Sequence, residues 1–167
     1  MGSGTVVVLN GTSSAGKSAV AEALQGILPG YPIHTGIDHF HERAPDRIHV
    51  RSDGVSPATA EGFLWVFPTG SSVLSELRVG PAALALWAGM HAAVAALAQT
   101  GNDVIVDDLL FDPRVRDEAV NTLFALDPLF VGVRCPIEVA EQRELDRDRT
   151  PGLARALASA HDGCLYD

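Results

Sequence analysis

Lysine is almost absent from this 167-residue chain: eleven of its twelve basic residues are arginine, and the one lysine is Lys17. Basic residues are themselves few against 21 Asp and Glu, giving a formal net charge of −9. A nucleic-acid binder needs a broad basic face, and this balance argues against one. An acidic protein can still take a phosphate ligand if it concentrates positive potential locally. Cysteine is scarce as well. Cys135 and Cys164 form neither a CxxC pair nor a metal-ligand spacing, so two reduced thiols in a cytoplasmic protein are expected. Long apolar runs are missing. The longest stretch, Ala82 to Ala98, is mostly alanine and is interrupted by His91. It falls short of the roughly 20 residues of a membrane span, so a buried helix and no membrane partner are expected. Thr5 to Leu9 is too short for a secretory signal and follows no basic region, and Val6 occupies the place where myristoylation needs Ser or Thr.

What is present reads as a folded core. Apolar residues make up 47%, charged residues 20%, and the mean hydropathy is +0.16. That suits a single domain over residues 1–167, with no internal repeat and no interdomain linker. Thr5 to Leu9 is apolar at nearly every position, as a central parallel strand requires. A helical pattern follows with Val20, Leu24 and Ile27 on one face, closed by Pro29-Gly30. Pro32 to Thr35 predicts a second strand. Phe63 to Phe67 and Ser72 to Leu77 predict a hairpin across Pro68-Thr69-Gly70. Pro81 opens a helix to about Gln99, apolar almost all round and therefore buried. Asp103 to Asp107 and Leu129 to Val133 read as strands. Asp112-Pro113 opens a helix to about Ala125, Pro136 to Arg147 forms a charged, exposed one, and a last helix reaches about Ala160. Strands alternating with helices predict an α/β fold with a mainly parallel sheet.

Gly11-Thr12-Ser13-Ser14-Ala15-Gly16-Lys17-Ser18 fits G-x-x-x-x-G-K-[ST] in full, between a strand and a helix. Glycines let the backbone wrap a phosphate with its N–H groups inward, and the helix N-terminus adds positive potential. Lys17 places a compact charge on the outer phosphates, which the planar fork of arginine would not reproduce. Ser18 offers a hydroxyl to Mg²⁺. A GTPase would also carry Asn-Lys-x-Asp, which a chain with one lysine cannot contain.

Asp107 and Asp108 end a strand, where a carboxylate can hold Mg²⁺ or its waters, or cap a turn. Spacing does not say which of the two faces the metal. Asp38 follows the second strand, at the sheet edge where α/β proteins bind ligands. It can take the proton of an attacking hydroxyl, or cap a helix. His39 and His41, two residues apart, point to different sides of a helix and suit surface or substrate-lining positions better than a metal site with Asp38. Arg143, Arg147 and Arg149 can close over phosphates, although the acidic residues among them also suit a solvated, ion-paired face. Arg147 and Arg149, at the break before Thr150-Pro151, are the better candidates for a lid over about 143–155.

The ordered set VVVLNGTSSAGKSAV at the start, Gly36-Ile37-Asp38, VIVDD at 104–108, VGVRC at 131–135, AEQRE at 140–144 and HDGCLYD at the end resembles the chloramphenicol 3-O-phosphotransferase family. The resemblance implies a three-layer P-loop kinase fold with sheet order 2-3-1-4-5 and ATP with Mg²⁺ as donor. It also implies a small-molecule acceptor phosphorylated on a hydroxyl, an antibiotic in that family. Asp38 would be the base, Lys17 and the lid arginines would act on the γ-phosphate, and Arg143 would sit with the phosphate loop at the nucleotide. Residues 39–80 match the family least and would line the acceptor pocket. Phe40, Phe63, Trp65 and Phe67 there suit an aromatic or amphipathic acceptor, and core packing equally. The oligomeric state is left open.

Overall fold

The β-branched run after Thr5 forms the central strand of the molecule. A computed structural model describes residues 2–53 and 60–161. Strand β1 (Val6–Asn10) runs into helix α1 (Lys17–Ile27), followed by β2 (Ile33–Gly36) and the short helix α2 (Ile37–His41). Strands β3 (His49–Ser52), β4 (Phe63–Val66) and β5 (Glu76–Val79) precede helix α3 (Pro81–Gln99). Then come β6 (Val104–Asp108), α4 (Pro113–Leu123), β7 (Leu129–Gly132), α5 (Ile137–Asp146) and α6 (Leu153–Ala158).

The main sheet is parallel with order β2-β6-β1-β7. Ranked by chain order within that sheet, this is the expected 2-3-1-4; no fifth strand joins it among the described residues. Both of its faces are covered, which is why β1 is apolar without alternation. Val6, Val8, Val104 and Val106 pack on one side with Trp87, Met90 and Val94 of α3 and Val115 and Ala119 of α4. Leu9 and Ile105 face the other way, onto Ala21 of α1. The register sets Leu9 beside Asp107, Asn10 beside Asp108, and Gly36 beside Asp107. The ends of three neighbouring strands therefore carry the glycine loop, the two aspartates and Asp38 to one edge.

Several expectations are corrected. Helix α1 buries Lys17 and Ala21, while Val20 and Ile27 of the predicted face are exposed. Its helical period is right, but the face turned to the sheet is the one carrying the small alanine. Helix α3 has the predicted bounds and is the one helix among the described residues long and apolar enough to cross a membrane. It buries one face only, with alanines and Gly89 along the other. The predicted hairpin exists with a different register: Val66 pairs with Glu76 and Phe63 with Val79, leaving residues 67–75 as the connection. Leu74 is drawn out of the strand because its N–H donates to the Pro151 carbonyl, 2.7 Å away. Strand β3, not predicted, pairs in parallel with β4, so β3-β4-β5 form a separate sheet. Cys135 is a free thiol; Cys164 lies outside the described residues, as do Tyr166 and Asp167 of the terminal motif.

Candidate active site

The turn from β1 into α1 is shaped by close approach and by left-handed backbone. A Cβ on Gly11 would lie 2.2 Å from the Val133 carbonyl oxygen, and Gly16 has φ +108° at the helix N-cap. No side chain caps α1, so the N–H groups of its first turn are left for a ligand. The Lys17 ammonium is buried and donates to the carbonyls of Gly11 (3.0 Å) and Thr12 (3.1 Å). It lies 3.7 Å from Asp107 Oδ1. Burial pushes the Lys17 pKa down, against the charges of Asp107, Asp38 and Asp108. Thr12 Oγ1 donates to the Ala154 carbonyl at 2.6 Å, which ties the loop to α6.

Asp107 and Asp108 part company. Ser18 Oγ donates to Asp107 Oδ2 at 2.5 Å, so this carboxylate belongs to the loop. Asp108 is fully buried on the opposite face of β6. It accepts from Trp87 Nε1 (2.9 Å) and the Leu109 N–H (2.7 Å), and pairs with His91 Nε2 (2.8 Å). Asp108, expected with Asp107 as a metal candidate, is thus placed away from the phosphate loop, with its oxygens used in the core. Ser18 and Asp107 supply two adjacent hard oxygens beside the phosphate cradle, a donor set that fits Mg²⁺, which keeps several waters.

The acidic helix α5 is not simply an exposed face. Glu144 is fully buried and accepts from the N–H groups of Gly152 (3.1 Å) and Ala154 (2.6 Å), with a further hydrogen bond from Ser13. Burial raises its pKa against those bonds. Arg143 donates to the carbonyls of Ser14 and Ala15, both at 3.2 Å, and so braces the loop from outside. Glu141 pairs with Arg155. Arg147 and Arg149, exposed, have no ion-pair partner among the described residues and line the cleft.

Asp38 sits in the first turn of α2, with Oδ1 3.0 Å from His41 Nε2. That hydrogen bond, with the charges of His41, Arg149 and Lys17, holds the carboxyl of this half-exposed side chain below the usual range, against its partial desolvation. His39 turns toward His34 instead. One cleft of about 410 Å³ brings Ser13, Ser14, Gly16, Lys17, Ser18, Asp107, Asp38, Arg147 and Arg149 together with an apolar wall. The wall is His41, His49, Phe63, Trp65, Leu77, Trp87, Leu109 and Phe111. Phe40 and Phe67, candidates for the acceptor pocket, do not line it. Sequence reasoning missed His49, Trp87 and Glu144. A glutamate in an acidic helix gives no signal of burial, and Trp87 was hidden in a helix read only as core.

The fold and the loop define a class: a P-loop kinase. The gluconokinase of Sinorhizobium meliloti superposes with a TM-score of 0.59 at 19% identity, covering 97% of this chain and 77% of that one. An APS kinase of Mycobacterium tuberculosis, solved with AMPPNP and APS, gives 0.58 at 15% identity, covering 86% and 70%. At such identities the likeness is one of fold. The family follows from sequence: the family model described as chloramphenicol phosphotransferase-like protein matches residues 4–167, and the chain belongs to that family. Proteins of two Mycobacterium tuberculosis strains, provisionally named O-phosphotransferases, are 31% identical over 176 residues, covering all of this chain and 74% of theirs. The protein is thus a phosphotransferase built on the kinase fold.

Proposed function

We propose that the protein moves the γ-phosphoryl group of Mg·ATP to a hydroxyl of an uncharged, partly aromatic small molecule of the antibiotic type. The observation that carries this reading is the single cleft joining the phosphate loop, Asp38 and the aromatic wall. The loop N–H groups and Lys17 hold the outer phosphates in line with the acceptor. Asp38 takes the hydroxyl proton as the oxygen bonds to the γ-phosphorus and the bond to the β–γ bridging oxygen breaks, releasing ADP. Arg147 and Arg149 spread the charge on the transferring group. Ser18 and Asp107 would hold Mg²⁺, which neutralises phosphate charge when bound. Arg143 keeps the loop in shape around the nucleotide.

The acceptor class follows from charge. The wall residues carry no lysine or arginine; the cations of the cleft are Lys17, Arg147 and Arg149, and its carboxylates are Glu22, Asp38 and Asp107. An anionic acceptor resting on the wall would have as counter-ions only the cations that this reading assigns to the nucleotide phosphates, Lys17, Arg147 and Arg149. A neutral ring system resting on the half-buried His49 and Trp65, backed by the buried Phe63, needs no counter-ion.

The test is mass spectrometry of a panel of hydroxylated antibiotics, chloramphenicol included, after incubation with protein and Mg·ATP. One panel member is expected to gain a phosphate with wild type. Lys17→Ala should abolish the product and weaken ATP binding. Asp38→Asn should keep ATP binding and lower turnover by about 10²–10⁴-fold. Phosphate gained only by anionic sugars or nucleotides added to the panel would refute the acceptor class.

A further inference from the structure

The histidines of α2 and β3 form a chain of contacts that ends on Asp38. Trp65 Nε1 faces His49 Nδ1 at 3.4 Å, and the His49 ring also hydrogen-bonds the His41 backbone. The His49 ring stacks on Phe63 (centroids 5.2 Å apart, 19° between planes) and meets the His41 ring edge-on at 5.5 Å. His41 Nε2 then reaches Asp38 Oδ1 at 3.0 Å. One carboxylate oxygen is thus engaged by the last residue of its own helix, whose ring and backbone contact β3, while Oδ2 has no hydrogen-bond partner among the described residues. Resting on the phosphotransfer reading above, we infer that His41 is a positioning residue: held by Trp65 through His49, it fixes Asp38 Oδ1 so that Oδ2 receives the acceptor proton.

The step balances without a further reactant. The hydroxyl proton goes to Oδ2, the hydroxyl oxygen bonds to phosphorus, and ADP leaves; the His41 N–H stays on Oδ1 throughout. The same sheet that would seat the acceptor then orients the base. An acceptor resting on Trp65 and His49 presses on the residues that set the carboxylate. The charged and titratable groups facing this pair are Lys17 from α1, Arg149 from the turn after α5, His49 from β3, and Asp46, which acts on His49. Of these influences on Asp38 the His41 hydrogen bond is the largest.

Two variants separate packing from hydrogen bonding. His41→Phe keeps a ring against His49 and Phe63 and loses the N–H. His41→Gln keeps a donor for Oδ1. The Asp38 side-chain carboxyl carbon is followed by NMR from neutrality down to about pH 4.5, with no acceptor present and with the amide spectrum reporting the fold. Wild type and His41→Gln should stay flat, while His41→Phe begins to titrate as its carboxyl returns toward the ordinary value. In turnover, His41→Phe should lower kcat about tenfold or more with the KM for ATP within about twofold, and His41→Gln should restore most of it. Should Asp38 behave alike in all three proteins, or His41→Phe keep wild-type kcat, the inference is overturned. An NMR difference without phosphotransfer by wild type to any acceptor would instead count against the phosphotransferase reading and leave the coupling standing.

Discussion

Strand alternation sends Asp107 and Asp108 to opposite faces of β6, and in a sheet covered on both sides neither face can be named from sequence. The structure resolves the pair by partners: Asp107 meets Ser18 and Lys17, and Asp108 meets Trp87 and His91. The proposed division of labour gives a measurable contrast. Asp107→Asn should raise the Mg²⁺ concentration for half-maximal turnover by about 10–100-fold, while Asp108→Asn leaves it near wild type; a Mg²⁺ titration of both variants checks this. Other residues were legible to different degrees. The solitary Lys17 stood out because every other Lys or Arg in the chain is arginine. Asp38 was found through its position after a strand. His41 stands three residues after Asp38, a spacing that sets the two side by side on a helix, but the His49 ring packed against it from β3 is encoded by no local pattern. Arg143, expected with the phosphate loop at the nucleotide, lies beside the loop and donates to its Ser14 and Ala15 carbonyls.

The elements α3, β6 and α4 are locked by one buried network. Asp108 joins Trp87 and His91 of α3, and the other His91 nitrogen contacts Glu118 of α4. Burial alone would lower the His91 pKa, but hydrogen bonds and charge from Asp108 and Glu118 outweigh it and the pKa is raised. A histidine raised in the folded state adds stability that is complete below its unfolded value, about 6.5, and lost as pH rises through the folded value. Tm measured across that window should therefore fall with rising pH in wild type, and the slope should flatten in His91→Gln. Asp108→Ala strips two buried donors of their acceptor and should cost about 3–5 kcal/mol in chemical denaturation, more than Asp108→Asn. Element limits with strong punctuation were readable: Pro81 opens α3, and Asp112 caps α4 by accepting from the Arg114 N–H. β3 was not, because His49–Ser52 is four residues long, mixed in polarity, and made a strand only by pairing with β4.

At the scale of the whole molecule, the parallel sheet and the three-stranded sheet are different kinds of structure. β1 and β6 are central strands with almost every residue buried, inside the core shared by α3 and α4. The small sheet carries exposed residues on its edge strands, Arg51 on β3 and Glu76 and Arg78 on β5, and joins the rest through Phe63 and Val79 in the shared core, the Arg114 hydrogen bond to the Val79 carbonyl, and the Leu74–Pro151 hydrogen bond next to β5. The parallel sheet was legible in sequence because its strands are held by local apolar runs. The small sheet was not, because its pairing and its place over the cleft come from contacts between distant segments. Local opening costs less where fewer apolar residues are buried, so stability should be graded across the cleft. Hydrogen exchange read by mass spectrometry should show β1 and β6 exchanging near the limit of global unfolding and β3–β5 well before it. A nonhydrolysable ATP analogue should slow exchange in the loop and α1. An acceptor found by the phosphate assay should slow β3–β5 specifically, because His49, Phe63, Trp65 and Leu77 would be covered. Protection of β3–β5 equal to that of β1 in the free protein would show instead that both sheets open as one unit, and the acceptor wall would then be rigid before anything binds.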